Sequence, residues 1–389
     1  MSHFAENTYW IAVAHLPGWK VERINRFIIR VTHENQMSWS DFFALEKKVW
    51  KEVFAFSDKE LGDLENVRNE LPKLAFIAEQ LTNEGFIMIP LNAQEYPQVL
   101  KENLKTRHAP PVVYIKGRKG MLQEDAVAIV GSRKAGQAAL DFTSKVAVKC
   151  ATESKVVVSG FAKGVDKQAL ESTLEAGGKS IIVLPQGILT FQSGFKKYYE
   201  AIAGGDVLVL STFFPKAGWD VGLAMARNII IYGLAKEIYV AESETRGGTW
   251  EGAMAGLKRG RNIYTRLPKP QEKNANLKLL EFGAIAVDDN GNATAPPRPL
   301  PARLFESSDA VGVSEDQGRF ESGENVRHVE EEILRLLEKG AYSSREILLA
   351  LNLDMDGRKI SRFLKNHPGV KTTGDKPLRY TRNDQTTLF

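Results

Sequence analysis

Apolar positions over residues 1–80 recur at helical intervals. Tyr9-Trp10-Ile11-Ala12-Val13-Ala14 runs into a turn at Pro17-Gly18, after which Ile24, Phe27, Ile28 and Val31 share one helical face. Ser38 or Ser40 can cap a helix opening at Asp41-Phe42-Phe43, and Ser57-Asp58-Lys59-Glu60-Leu61 reads as another capped start. A long helix is predicted over 69–84. From residue 81 the rhythm changes. Gly85-Phe86-Ile87-Met88-Ile89-Pro90 and Val112-Val113-Tyr114-Ile115-Lys116-Gly117 read as strands, separated by turns at Tyr96-Pro97 and Pro110-Pro111. Both are expected at one edge of a sheet. Between 127 and 287, short apolar runs near 127–130, 156–158, 181–184, 207–210, 238–241 and 262–265 alternate with helical stretches. The helices fall near 136–153, 165–176, 194–203, 220–235 and 249–259, with a weaker helix and strand over 276–287. Such alternation predicts an α/β fold, a parallel sheet covered on both faces.

Two of these runs end in turns of similar chemistry. Val127-Ala128-Ile129-Val130 stops at Gly131-Ser132-Arg133, and Val156-Val157-Val158 stops at Ser159-Gly160-Phe161-Ala162-Lys163-Gly164-Val165-Asp166. Each turn offers glycine, a hydroxyl and a cation. In an open parallel sheet the carboxyl ends of the strands form the ligand crevice. Glycine lets backbone N–H groups approach a phosphate, and the following helix start favours an anion. The pattern points to a phosphate-holding groove without a dinucleotide fingerprint.

Residues 288–325 have another character. Ala295-Pro296-Pro297-Arg298-Pro299-Leu300-Pro301 is polyproline-like, and 307–316 is polar, so the segment reads as a linker. Beyond it, 326–389 predicts a compact module. One helix carries Ile333, Leu336 and Leu337, and a second, over Ile347 to Leu351, is capped by Ser343 or Ser344. A third covers 356–366, and a hairpin turns at Gly374-Asp375. That order is winged-helix-like. The third helix carries Arg358, Lys359, Arg362 and Lys365, either a duplex-binding face or a solvated face of a protein-contact module.

Composition narrows the classes. The net charge of +4 permits nucleic acid without requiring it. The single Cys150 excludes an internal disulfide and reads as core packing, and the six histidines are scattered, so no metal or redox cofactor is expected. No apolar run is long enough to span a bilayer, and a cytoplasmic protein with no membrane contact is the expectation.

Gly131-Ser132-Arg133 with Ser159-Gly160-x-Ala162-x-Gly164-x-Asp166 resembles the DNA-processing protein A (DprA, or Smf) family. The likeness continues through Phe195-Lys196-Lys197-Tyr198-Tyr199-Glu200-Ala201-Ile202, Pro215, Arg227-Asn228-Ile229-Ile230, Gly233-Leu234-Ala235, Val240-Ala241-Glu242 and Gly248-Thr249 to Gly260-Arg261. Tyr9-Trp10, Pro17-Gly18 and Tyr96-Pro97 also look like the family, so the resemblance covers most of 9–267. The chain departs from the pattern at Leu170 (a histidine in the family), Ser211-Thr212, Ile229 and Pro185-Gln186-Gly187, which marks a divergent branch.

The resemblance implies a non-enzymatic single-stranded-DNA-binding protein acting in DNA uptake and recombination. It would protect the strand, help load the RecA recombinase and form a homodimer. Residues 1–80 would be a helical, SAM-like domain and 81–287 a Rossmann-like parallel-sheet core. By motif, Ser132, Arg133, Lys163, Lys197 and the backbone at Gly131, Ser159 and Gly160 would hold phosphates, with Arg227 and Asn228 shaping the crevice. Asp166 is read first as a helix-start residue, and Phe161 and Tyr198 as core rather than base-stacking rings. The rival reading is enzymatic. Met225-Ala226-Arg227-Asn228 and Gly247-Gly248-Thr249-Trp250-Glu251 loosely resemble phosphoribohydrolases that cleave a nucleoside monophosphate's glycosidic bond, with Arg227 and Glu251 as the catalytic candidates. Finally, Gln385-Thr386-Thr387-Leu388-Phe389 resembles a sliding-clamp-binding peptide, in which Gln385, Leu388 and Phe389 would make the contacts.

Overall fold

The computed structural model describes residues 3–294 and, further on, 333–338, 340–343, 346–347, 350, 364, 370–373 and 379–382. Contacts divide the chain into two units, 1–307 and 308–389.

The first unit opens with five helices: α1 (His3–Ala14), α2 (Val21–Ile28), α3 (Trp39–Ala44), α4 (Lys47–Phe54) and α5 (Asp58–Asn83). Their core is aromatic. Trp10, Phe27, Trp39, Phe42, Trp50, Phe54 and Phe56 are all buried, and Phe42 stacks on Trp50 at 5.3 Å. Ser38 caps α3 through the Asp41 amide at 3.1 Å. The two segments expected near 57–61 and 69–84 are one helix. Ser57 and Glu60 form a capping box, and Leu61, Leu64 and Val67 stay buried, so packing carries the helix through Pro72.

The core follows as β1 (Ile87–Pro90), α6 (Gln98–His108), β2 (Val112–Lys116), β3 (Ala126–Val130), α7 (Gln137–Thr152), β4 (Val156–Ser159), α8 (Val165–Glu175) and β5 (Ser180–Val183). Then come α9 (Gln192–Lys197), α10 (Tyr199–Gly204), β6 (Val207–Ser211), α11 (Val221–Leu234), β7 (Glu237–Val240), α12 (Gly248–Lys258), β8 (Ile263–Arg266), α13 (Asn276–Glu281) and β9 (Ile285–Val287). Nine strands make one sheet in the order β1-β2-β6-β5-β4-β3-β7-β8-β9. The run from β6 to β9 is parallel, with register pairs such as Val127 with Val157 and Val130 with Val240. The edge strands β1 and β2 pair antiparallel, β2 against β6, so the sheet is mixed at that edge. Strands β3 to β6 extend in one direction, and the chain then returns across the sheet to β7. The switch point therefore lies between β3 and β7.

Both faces are covered, which is why the strands read as continuous apolar runs. One apolar cluster holds the α1–α5 aromatics together with Tyr114, Leu170, Ile182, Val207 and Val209, so the helices and the sheet share a core. No helix among the described residues is long and apolar enough to cross a membrane.

In the second unit, Ile333, Leu337, Ile347, Leu364, Val370 and Tyr380 form a small core. The strands β10 (Val370–Thr373) and β11 (Arg379–Arg382) pair antiparallel, where the sequence places a hairpin. Arg358, Lys359, Arg362 and Lys365, and the tail residues Gln385, Leu388 and Phe389, lie outside the described residues.

Candidate nucleic-acid interface

The loops after β3 and β4 meet because glycine lets them. Gly164 has φ +77, and a Cβ there would lie 2.4 Å from the Ser132 carbonyl oxygen. The Val165 amide donates to that same carbonyl at 3.4 Å. A Cβ on Gly131 would lie 2.6 Å from Cγ2 of Val165. The two predicted phosphate turns thus form one wall. Arg133, Lys134 and Lys163 stand exposed along it, with Ser132 half-buried. The Ser132 Oγ accepts from the Lys134 amide at 3.0 Å, which fixes the turn.

Beneath the wall lie buried side chains that shape the crevice from below. Ser159 is 2% exposed, and its hydroxyl donates to the Ile129 carbonyl at 3.1 Å, tying β4 to β3. Arg227, on α11, is 4% exposed. Its guanidinium lies against Gly160, where a Cβ would come within 1.4 Å of Nη1. Nη1 donates to the Val183 carbonyl at 3.2 Å and lies 3.9 Å from Oδ2 of Asp166, while Nε has no hydrogen-bond partner. Ser159 and Arg227 are therefore floor supports rather than surface contacts. The reason is tertiary: α11 crosses under the strand ends and brings its arginine from below.

Asp166 stands in the first turn of α8, as expected, but it does more than settle that turn. Oδ2 accepts from the Ala162 amide at 3.4 Å and faces Arg227. Burial pushes its carboxyl above the usual range, against the pull of Arg227. Burial likewise lowers the Arg227 guanidinium from its ordinary value. Both directions say that desolvation outweighs mutual attraction in this pair. Leu170, at the position of the family histidine, is buried and packs into the core.

Asn228 is half-buried, with Nδ2 so close to Gly248 that a Cβ there would lie 2.2 Å away, which seats α12 on α11. Lys197 is exposed, 3.4 Å from the Glu171 carboxylate and over the Tyr198 ring. Phe161 meets Phe191 and Tyr198 edge-on at 5.1 and 5.6 Å, so these rings are packing. Phe161 holds φ +60, an unusual conformation for a bulky residue. Glu251 is exposed in the first turn of α12, whereas Arg227 is buried and paired with Asp166. Cys150 is buried and its thiol is pushed up to about 12, mainly by burial, which makes it an inert packing residue. Among the described residues no cluster of histidine, cysteine or carboxylates is placed to hold a metal.

One residue of a family-like run has a role the sequence did not reveal. Glu242, just past β7, accepts from the Gly136 amide at 3.2 Å through Oε2, while its carbonyl accepts from Ser132 at 3.0 Å. Gly136 is the N-cap of α7. The anion position expected behind Gly131-Ser132-Arg133 therefore carries the protein's own carboxylate. The α8 start has no side-chain cap. The signal available in sequence was an acid directly following a strand at the switch point.

The family model of DNA recombination-mediator protein A matches residues 87–295. Protein Smf of Synechocystis is 27% identical over 297 residues, 73% of this chain and 70% of that protein. DNA processing protein DprA of Streptococcus pneumoniae is 33% identical over 156 residues, 40% of this chain and 55% of that protein. The X-ray structure of DNA processing protein A from Streptococcus pneumoniae superposes with a TM-score of 0.56 at 24% identity, covering 72% of this chain and 94% of that one.

Proposed function

The chain belongs to the DNA recombination-mediator protein A family, and from that premise we propose that it binds single-stranded DNA along the crevice between Arg133 and Lys163. The observation that carries this reading is the wall built by the two loops. Exposed cations stand on neighbouring strand ends above a floor whose charges are already paired. Cations with little internal engagement attract a phosphate backbone, and they do so without reading sequence. The role is binding rather than catalysis. It extends to DNA uptake and recombination, with RecA as the protein partner and a homodimer as the working form. The tail at Gln385, Leu388 and Phe389 is proposed to engage a sliding clamp, and Arg358, Lys359, Arg362 and Lys365 a duplex.

The test is anisotropy of a labelled thymidine oligonucleotide against salt, with the full chain and its Arg133→Ala and Lys163→Ala variants. Each variant should weaken binding and flatten the dependence of log K on log salt by about 0.7. Unchanged affinity and slope in both would overturn the assignment of the crevice.

A further inference from the structure

Base contact is the part of single-strand binding that the cationic wall leaves without a residue. Phe161 is engaged with both Phe191 and Tyr198. Tryptophan presents the largest flat face for a base, and its exposure is otherwise costly. Of the six tryptophans in the chain, Trp10, Trp39 and Trp50 are buried and Trp19 and Trp250 half-buried. Trp219 is 55% exposed, and Val221 close by is 63% exposed.

Trp219 lies in the loop from β6 to α11, at the same carboxyl edge of the parallel strands as the cationic wall. The loop is fixed on both sides of it. The Ala217 carbonyl accepts from the Gly187 amide at 2.8 Å and from the Thr190 hydroxyl at 3.2 Å. The Leu189 amide donates to the Pro215 carbonyl at 3.0 Å. On the other side, Asp220 caps α11 through the Gly222 amide at 2.6 Å and the Leu223 amide at 3.3 Å. With the backbone fixed around it, an exposed ring has less ordering entropy to lose on stacking than one on a free loop. Lys216, also exposed, adds a cation to the same loop.

We propose that Trp219 is a base-stacking residue of this crevice, taking an unpaired nucleobase whose phosphates lie on the Arg133–Lys163 wall. The inference rests on the single-stranded-DNA reading. It names a contact that reads unpaired bases rather than phosphates, because a base stacked within a duplex has no free face to offer.

The experiment compares the full chain with Trp219→Ala and Trp219→Phe on two labelled oligonucleotides of equal length, one of thymidines and one abasic. Trp219→Ala should weaken thymidine binding on the order of tenfold, the scale of one lost base stack, and leave abasic binding unchanged. Its salt slope on thymidines should match the parent, since no cation is removed. Trp219→Phe should keep most of the affinity. Equal thymidine binding by Trp219→Ala overturns the inference and leaves the single-strand reading standing. Equal losses on both oligonucleotides also overturn it, since they place Trp219 in the fold rather than on a base. A parent chain that fails to bind thymidines overturns the single-strand reading, and this inference with it.

Discussion

Arg227→Met isolates the energetics of the crevice floor. The substitution removes the guanidinium that faces Asp166 at 3.9 Å, with the two side chains 4% and 10% exposed. At an effective dielectric of about 20, charges at that distance interact by about 4 kcal/mol. That agrees with the roughly 3–5 kcal/mol lost when one member of a buried pair is deleted. For the unit spanning residues 1–307, an unfolding entropy of about 2 cal/mol/K per residue converts this to a Tm drop of about 6 °C. The pH dependence has a definite sign. The folded-state Asp166 carboxyl lies above its ordinary value, first through burial and against the pull of Arg227. Its protonation therefore favours the folded state, a contribution complete below the unfolded value and lost as pH rises through the raised one. Without Arg227 the carboxyl rises further, and the loss extends to higher pH. The variant should thus be nearer to the parent at pH 5 than at pH 8. Asp166→Asn combined with Arg227→Met should recover most of the drop, because the uncompensated charge is gone. Differential scanning fluorimetry at both pH values decides it. Equal destabilisation at pH 5 and pH 8, or no recovery in the double variant, would refute the coupling.

Two further outcomes follow from the geometry. Glu242→Gln removes the carboxylate that accepts from Gly136 at the start of α7. It should raise affinity for a thymidine oligonucleotide about two- to fivefold at low salt, the scale of one charge at a helix end; unchanged or weaker binding would show that Glu242 does not compete with phosphate. Incubation with nucleoside monophosphates should release no base by chromatography, since Arg227 is taken by Asp166. Base release that disappears in Glu251→Gln would reinstate the glycosidase.

Legibility in the sequence followed the range of the forces involved. Val127-Ala128-Ile129-Val130 and Val156-Val157-Val158 announce buried strands because burial on both faces leaves no polar position, and the structure places strands there. Ser57 and Glu60 likewise announce a helix start by purely local hydrogen bonds. The length of α5 was hidden, because tertiary burial overrides the local penalty of Pro72. The glycines at 131, 160 and 164 were visible as a pattern, yet their reasons are non-local. Gly160 makes room for an arginine 67 positions later, and Gly131 and Gly164 make room for each other's loops. For the same reason the motifs that name Ser159 and Arg227 do not reveal that both side chains are buried beneath the exposed cations, while Glu242 stood in a family-like run with no role attached and Trp219 in no motif.

The distribution of charge also bears on what kind of ligand the crevice suits. Its floor is internally neutral through Asp166 and Arg227, and the α7 start is met by Glu242. Attraction for an anion is left to exposed side chains: Arg246 after β7, Arg133 and Lys134 after β3, and Lys163 after β4. These strands are neighbours in the sheet, so their ends span about 10 Å at the usual spacing of about 4.8 Å. A single phosphate monoester meets at most one or two of these cations. A strand with phosphates repeating along it meets all of them, each contact weak, exposed and screened by salt. Such a surface gains affinity by adding phosphates rather than by enclosing one, and that favours a polymer backbone over a nucleoside monophosphate as the occupant.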